Sequence, residues 1–194
     1  MLQQRALFPT VKEQDKQDQE ERTAGSVETE FDAIFETYYS RIFKYIRFRV
    51  DCEYAAEDLT SQVFEKVLTR YRTFRADRSP LEVWLIAIAR NTVNDYYRRQ
   101  KRRKLFSLDL FKESASQEQG PEDRTLIREA ETELNRALQL LKPQERHLLA
   151  LKFGAGLKNV QIAEFTGLSE SHVGVMMFRA MKKLKLELER KDER

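Results

Sequence analysis

The stretch SPLEVWLIAIARNTVNDYYRRQKRRK, residues 79–104, constrains this chain more than any other. Ser79 can cap a helix, Pro80 suits its first position, and Glu82 completes an S-x-x-E capping box. Leu81, Trp84, Leu85, Ile88, Thr92 and Tyr96 then recur at helical spacing and form one buried face. The opposite stripe of the same helix is Arg90, Asn94, Tyr97 and Lys101. The helix ends in Arg98, Arg99, Lys101, Arg102, Arg103 and Lys104, six cations in seven residues. A core face, an aromatic and polar outer face and a cationic end suit a nucleic-acid surface better than a membrane or a metal site.

Helical periodicity recurs on both sides of this stretch. Phe31, Ile34, Phe35, Tyr38, Tyr39, Ile42, Phe43 and Ile46 follow the i, i+3, i+4, i+7 rule and predict a helix with an aromatic core stripe. A second helix is expected from Tyr54 to Tyr71. Its buried stripe is Ala56, Leu59, Val63 and Val67, widened by Phe64 and Leu68. The polar loop RTFRADRS, residues 72–79, connects it to the Trp84 helix. Six Gly, four Pro and 35% charged residues agree with an all-α fold.

Charge by itself decides little, because 35 Lys and Arg nearly balance 32 Asp and Glu. Clustering decides more. Residues 1–26, which include KEQDKQDQEERT, carry no periodic apolar face and are expected to form a disordered tail. Residues 105–125, with KESASQEQGPEDR, read as a flexible linker. Two small helical domains follow, at 27–104 and 126–190. Cys52 is the single cysteine, so an internal disulfide and a cysteine metal cluster are both excluded. No signal segment or apolar run of about 18 residues is present, which makes a cytoplasmic protein without membrane insertion the expectation.

The second domain opens with Leu126, Ala130, Leu134, Leu138 and Leu141 at helical spacing. Pro143 starts a new helix carrying Leu148, Leu149, Leu151 and Phe153, and Gly154-Ala155-Gly156 ends it. His147 reads as an ordinary helix residue, since no second metal-binding group accompanies it. Val160, Ile162, Ala163 and Phe165 then belong to a short helix, Gly167 to a tight turn, and Ser169 to the cap of a last helix. Val173, Met177, Ala180 and Leu184 form that helix's buried stripe, opposite His172, Val175, Arg179 and Lys182. Two short helices about a glycine turn, with a basic outer face on the second, describe a helix-turn-helix.

Four segments in this order carry a family resemblance: AEDLTSQVFEKV (56–67), WLIAIARNTVNDYYRRQKRR (84–103), LLKPQERHLLALKF (140–153) and IAEFTGLSESHVGVMMFRAMKKL (162–184). On these the chain resembles a bacterial RNA polymerase sigma factor of the extracytoplasmic-function (ECF) group. The resemblance implies three surfaces. Asp58, Leu59, Gln62, Phe64 and Glu65 would dock on the clamp helices of the largest polymerase subunit. Arg75, Asp77, Arg78, Arg90, Asn91, Asn94, Tyr97, Arg98 and Lys101 would engage and open the −10 element. Ser171, His172, Val175, Arg179, Lys182 and Lys183 would read the −35 element. It also implies a contact with the flap of the second-largest subunit and an anti-sigma partner, and no cofactor, metal or catalytic residue.

Two positions depart from the family pattern. The docking helix commonly reads D-L-T-Q-E-V-F, where this chain has Asp58-Leu59-Thr60-Ser61-Gln62-Val63-Phe64. Gly174, Val175 and Met176 stand where the recognition helix often carries Lys and Arg. Reach agrees with two domains on one promoter. Elements about 25 base pairs apart are separated by ~85 Å along DNA, and a 105–125 linker that extends to ~70 Å covers this once the width of two small domains is added.

Two other classes compete. A helix-turn-helix regulator acting without polymerase would need neither the docking helix nor the Trp84 helix. An enzyme acting on nucleic acid would need a phosphate loop, a cysteine-histidine cluster or a two-metal carboxylate set, and none is present in the sequence.

Overall fold

The computed structural model describes residues 11–107 and 126–192, with side chains placed over 29–103 and 133–190. All but the first three positions of the expected 105–125 linker lie outside the described residues, as do residues 1–10 of the expected tail. Seven α-helices appear among the described residues: α1 Val11–Arg49, α2 Glu53–Arg70, α3 Leu81–Ser107, α4 Leu126–Gln139, α5 Pro143–Leu149, α6 Asn159–Thr166 and α7 Glu170–Asp192. The chain divides into two compact units at residues 39 and 40.

Helix α1 begins at Val11, inside the stretch expected to be a tail. Glu, Gln, Lys and Arg lose little rotamer freedom in a helix, so this segment favours helical backbone without an apolar stripe. In the first unit, Phe31, Phe35 and Tyr39 recur at i+4 spacing, with ring centroids 6.3 and 5.1 Å apart. Phe35 and Tyr39 are 39% and 37% exposed, so this aromatic stripe is only partly core.

The second unit carries the candidate surfaces. Helices α2 and α3 pack face to face. Leu59, Val63, Phe64 and Val67 on α2 are buried with Leu85, Ile86, Ala89 and Val93 on α3. Burying such a Leu, Ile or Phe side chain stabilises the pair by about 1.5–3 kcal/mol relative to exposure. Leu68 is exposed, which corrects the wider stripe expected from spacing alone.

The start of α3 also differs from expectation. Glu82 closes no capping box with Ser79. Its carboxylate instead accepts hydrogen bonds from Arg41 Nη2 at 3.1 Å and Gln161 Nε2 at 2.7 Å. Pro80 still opens the helix, its carbonyl accepting from the Val83 and Trp84 amides.

Helices α5, α6 and α7 pack together, with α4 against α7. A π-helical turn, Ala150–Gly154, continues α5. Glu145 at the third position of α5 accepts from the Lys142 amide at 3.0 Å and from Lys183 Nζ at 2.5 Å. Its side chain is 9% exposed and that of Lys183 50%. The Lys183 hydrogen bond, joined by the Lys142 amide, holds the Glu145 carboxyl below the usual carboxylate range against the opposing effect of burial. The stability this supplies is present above the ordinary carboxylate range and is lost as pH falls through the depressed value. Lys183→Ala is expected to destabilise the chain by about 1 kcal/mol, a figure discounted for the half-exposed lysine. It should also shrink the acid-induced loss in a thermal-melt series against pH.

Candidate nucleic-acid interface

The −10 candidates occupy three settings. Arg75, Asp77 and Arg78 lie in the exposed loop before α3. Arg75 forks onto Asp77, with Nε to Oδ1 at 3.2 Å and Nη2 to Oδ2 at 3.4 Å, while the Arg75 carbonyl accepts the Arg78 amide. Phe74 anchors the loop, its ring 5.2 Å from Trp84 and 6.3 Å from Tyr71. The loop is thus a preformed turn whose polar groups face water.

Asn91 and Arg98 belong to a second setting. They line a polar cleft of about 610 Å³ between α2 and α3, with Lys66, Arg70 and Arg99. Lys66 Nζ donates to Thr92 Oγ1 at 2.9 Å across the helix pair, and Arg98 pairs with Asp95. Four cations around one concave polar surface are suited to a phosphate backbone.

The third setting is unexpected. The stripe Arg90, Asn94, Tyr97 and Lys101 does not stand free in solvent along its length. The Arg90 guanidinium lies over the Phe165 ring of α6, 4.7 Å from its centroid. Tyr97 donates its hydroxyl proton to the Arg49 carbonyl, and Asn94 Oδ1 accepts from Arg49 Nη2 at 3.3 Å. Asn94, Tyr97 and Lys101 line a cleft of about 960 Å³ whose other wall includes Gln139, Pro143 and Arg146. Burial raises the Tyr97 hydroxyl above its ordinary value. The periodicity places these four residues on one stripe, and the structure covers part of that stripe with the helix-turn-helix domain.

His147 sits at the centre of the covering. Its Nδ1 lies 2.6 Å from Arg49 Nη1 and 3.3 Å from the Tyr45 hydroxyl, and its ring 6.4 Å from Phe165. An arginine only donates, so Nδ1 must accept, and the imidazole is neutral with its proton on Nε2. Burial first, then Arg49 and Arg90, lowers the His147 pKa from 6.5 to about 3. Burial pushes Tyr45 up to about 12, so its phenol stays protonated. His147 lies in α5, as its helical spacing implies, and its polar partners Tyr45 and Arg49 come from α1, 102 and 98 residues away.

The sign of the pH effect follows. The unfolded chain binds a proton on His147 below pH 6.5, and the folded chain does not until about 3. Stability therefore falls with acidification in that window, by at most about 1.4 kcal/mol per pH unit. Between about pH 7 and 5.5 the melting temperature should drop, and His147→Gln should flatten that drop.

On α2, Asp58 and Glu65 are exposed and Gln62 is half-buried, its Nε2 donating to Asp58 Oδ2 at 2.8 Å. Leu59 and Phe64 are 2% and 3% exposed, which removes them from an outer docking face. They are core residues, as their place in the apolar stripe implies.

In the helix-turn-helix, Gly167 closes α6 at φ 72° with its amide on the Ala163 carbonyl. Ser169 Oγ accepts the His172 amide at 3.3 Å and caps α7. Val173, Met177, Ala180 and Leu184 are buried. Ser171, His172, Val175, Arg179, Lys182 and Lys183 are exposed on the outer side. Lys183 is committed to Glu145. Phe178, 70% exposed, shares this surface and was not among the sequence candidates.

A helix-turn-helix joined to a helix pair with a basic rim defines a DNA-binding protein of two helical domains. The family descriptions "Sigma-70 region 2" and "Sigma-70, region 4" match residues 34–103 and 131–184. The chain belongs to the sigma-70 family of RNA polymerase sigma factors, in its ECF group. It is similar to the ECF sigma factor BldN of Streptomyces coelicolor, 29% identical over 164 residues that cover 84% of this chain and 62% of BldN. SigX of Bacillus subtilis is 27% identical, covering 84% of this chain and 86% of SigX. Among solved structures, the sigma factor RpoE in complex with the anti-sigma factor NepR from Bartonella quintana matches with a TM-score of 0.65. Identity there is 20%, with 82% of this chain and 97% of that chain covered. CnrH, solved with the cytosolic domain of CnrY, matches with a TM-score of 0.60 at 21% identity, covering 82% and 87%. No helix among the described residues is long and apolar enough to cross a membrane.

Proposed function

We propose that this chain binds core RNA polymerase and directs promoter recognition, DNA opening and transcription initiation, as a specificity subunit without catalytic residues of its own. The observation that supports this reading most is α3, where one helix follows the Arg75–Asp77 turn and joins a core face to an exposed cationic end. Strand opening needs no covalent step, only stronger binding to the unpaired strand than to the duplex. Aromatic rings stack on unstacked bases for about 1–3 kcal/mol each, and a cationic groove holds the phosphates. The turn at 75–78 would receive a flipped base, with Arg75 and Asp77 supplying donors and acceptors once their mutual pair opens.

Asp58, Gln62 and Glu65 form the acidic and polar face that would meet the polymerase clamp helices. Arg179 would pair with guanine in the −35 major groove, Val175 would touch a thymine methyl, and Lys182 would hold phosphate. RpoE was solved with the anti-sigma factor NepR, and a protein of that kind is the expected inhibitor here. Sequencing transcripts made from genomic DNA by core polymerase with and without the chain tests the proposal. Start sites sharing −10 and −35 motifs that depend on the chain support it, and identical transcripts in both reactions overturn it.

A further inference from the structure

The cleft beside Tyr97 gathers charged side chains that have no charged partner. Its volume of about 960 Å³ is near the top of the roughly 300–1,000 Å³ that small-molecule sites occupy. Its walls come from the α1–α2 turn, α3, the end of α4 and the start of α5. Arg49 directs its donors to His147 and Asn94. Lys101, Arg103 and Arg146 differ, because none of them is in an ion pair among the described residues. Arg146 donates from Nη1 to Gln139, while its Nε is buried with no hydrogen-bond partner. Asp51, exposed at the same cleft, has no ion pair among the described residues either.

Along α3 the cleft changes character. Half-buried Tyr96 neighbours Asp51: burial first, and then the Asp51 carboxylate, raise its hydroxyl above the ordinary value. Its ring meets Tyr97 edge-on at 5.3 Å, and its hydroxyl accepts from Gln100 Nε2 at 2.6 Å. Arg103 follows Tyr96 by two turns of helix, about 10 Å at a rise of about 1.5 Å per residue. The Tyr96 end offers aromatic surface, an amide and a carboxylate, and the Arg103 end offers cations.

We propose that this cleft binds a guanine nucleotide, with the base at the Asp51–Tyr96 end and the phosphates on Lys101, Arg103 and Arg146. Cations without carboxylate partners suit phosphate oxygens, which arginine grips with two parallel N–H donors. Tyrosine rings suit a planar heteroaromatic face. A carboxylate only accepts hydrogen bonds, so it suits a base edge that only donates. Guanine presents such an edge, its N1–H beside its N2 amino group, whereas adenine sets a ring acceptor next to its amino group. A strand of nucleic acid carries the same groups. Three cations toward one end of the cleft match the clustered charge of a triphosphate better than a strand's single phosphate per nucleotide.

The test uses the full chain. Cys52, the single cysteine, lines this cleft and is half-buried, so its alkylation by iodoacetamide reports occupancy of the unaltered protein. At a concentration about ten times its Kd, GTP should slow alkylation about tenfold, since only the free fraction reacts. Calorimetry should show GTP binding at least about tenfold tighter than ATP, the worth of a charge-assisted hydrogen bond. Asp51→Asn should remove that preference, and Arg103→Ala should weaken GTP about tenfold. Both side chains are exposed, so both variants should fold, and unchanged melting temperatures check this. Lys101 and Tyr97 stay unaltered because they are also −10 candidates. No protection by millimolar GTP, or GTP affinity unchanged in both variants, would overturn the site. Equal protection by GTP, ATP and tripolyphosphate would reduce it to a general polyanion surface and also overturn it. Protection by a single-stranded 20-mer and not by GTP would give the cleft to DNA, with the same consequence. None of these results bears on the polymerase reading, which chain-dependent transcription judges separately.

Discussion

Replacing Arg98, Arg99 and Lys101 with alanine together is expected to weaken binding of the reconstituted holoenzyme to promoter DNA and to flatten its salt dependence. Each phosphate contact releases a counterion and adds about 0.9 to the slope of log affinity against log salt. Three contacts therefore amount to up to about three units. Between about 50 and 200 mM salt, the wild-type affinity should fall some forty-fold more than that of the variant. The fold should survive. All three side chains are exposed, and the Arg98–Asp95 pair, with side chains 68% and 40% exposed, adds little to stability. Loss should be similar across promoters of different sequence, because phosphate contacts fix register and carry no base information. A variant with an unchanged slope would show that these cations do not meet phosphate.

A second large effect separates docking from packing on α2. Asp58→Lys reverses charge at an exposed position, where surface changes usually alter stability by less than about 0.5 kcal/mol. It should nonetheless abolish co-elution with core polymerase on gel filtration, since a like charge across an interface costs several kcal/mol. Leu59→Ala, one residue along, should do the reverse. Its side chain is 2% exposed, and truncating a buried leucine typically costs about 2–5 kcal/mol. Polymerase binding should persist at temperatures where this variant is still folded. Normal co-elution of Asp58→Lys would remove Asp58 from the docking face. A thermally unaffected Leu59→Ala would contradict the packing of α2 on α3.

How much of this was readable from residues alone depends on the range of the interaction. The buried stripe of α7, Val173, Met177, Ala180 and Leu184, follows directly from helical period, and so does the cap at Ser169. The turn at Gly167 was equally legible, because only glycine adopts its left-handed backbone cheaply. Leu59 and Phe64 show periodicity outperforming analogy. Their spacing assigns them to the core, while the family resemblance assigned them to a docking face.

What escaped was every contact between residues distant in sequence. Glu82 fits a capping box locally, yet Arg41 and Gln161 claim its carboxylate. Arg90 reads as a solvent-facing cation, since nothing near it announces Phe165. Gly154 reads as a helix stop, and its closeness to Tyr45 is a property of two segments more than 100 residues apart. The start of α1 at Val11 escaped for a different reason, because backbone propensity acts there without a hydrophobic pattern to signal it.

The central claim is that the chain delivers core polymerase to promoters, and transcription from purified components tests it most directly. Core RNA polymerase, a genomic promoter library and this protein should yield defined transcripts that are absent when the protein is omitted. No chain-dependent initiation at any promoter, together with tight binding of the protein alone to a duplex operator, would contradict the account.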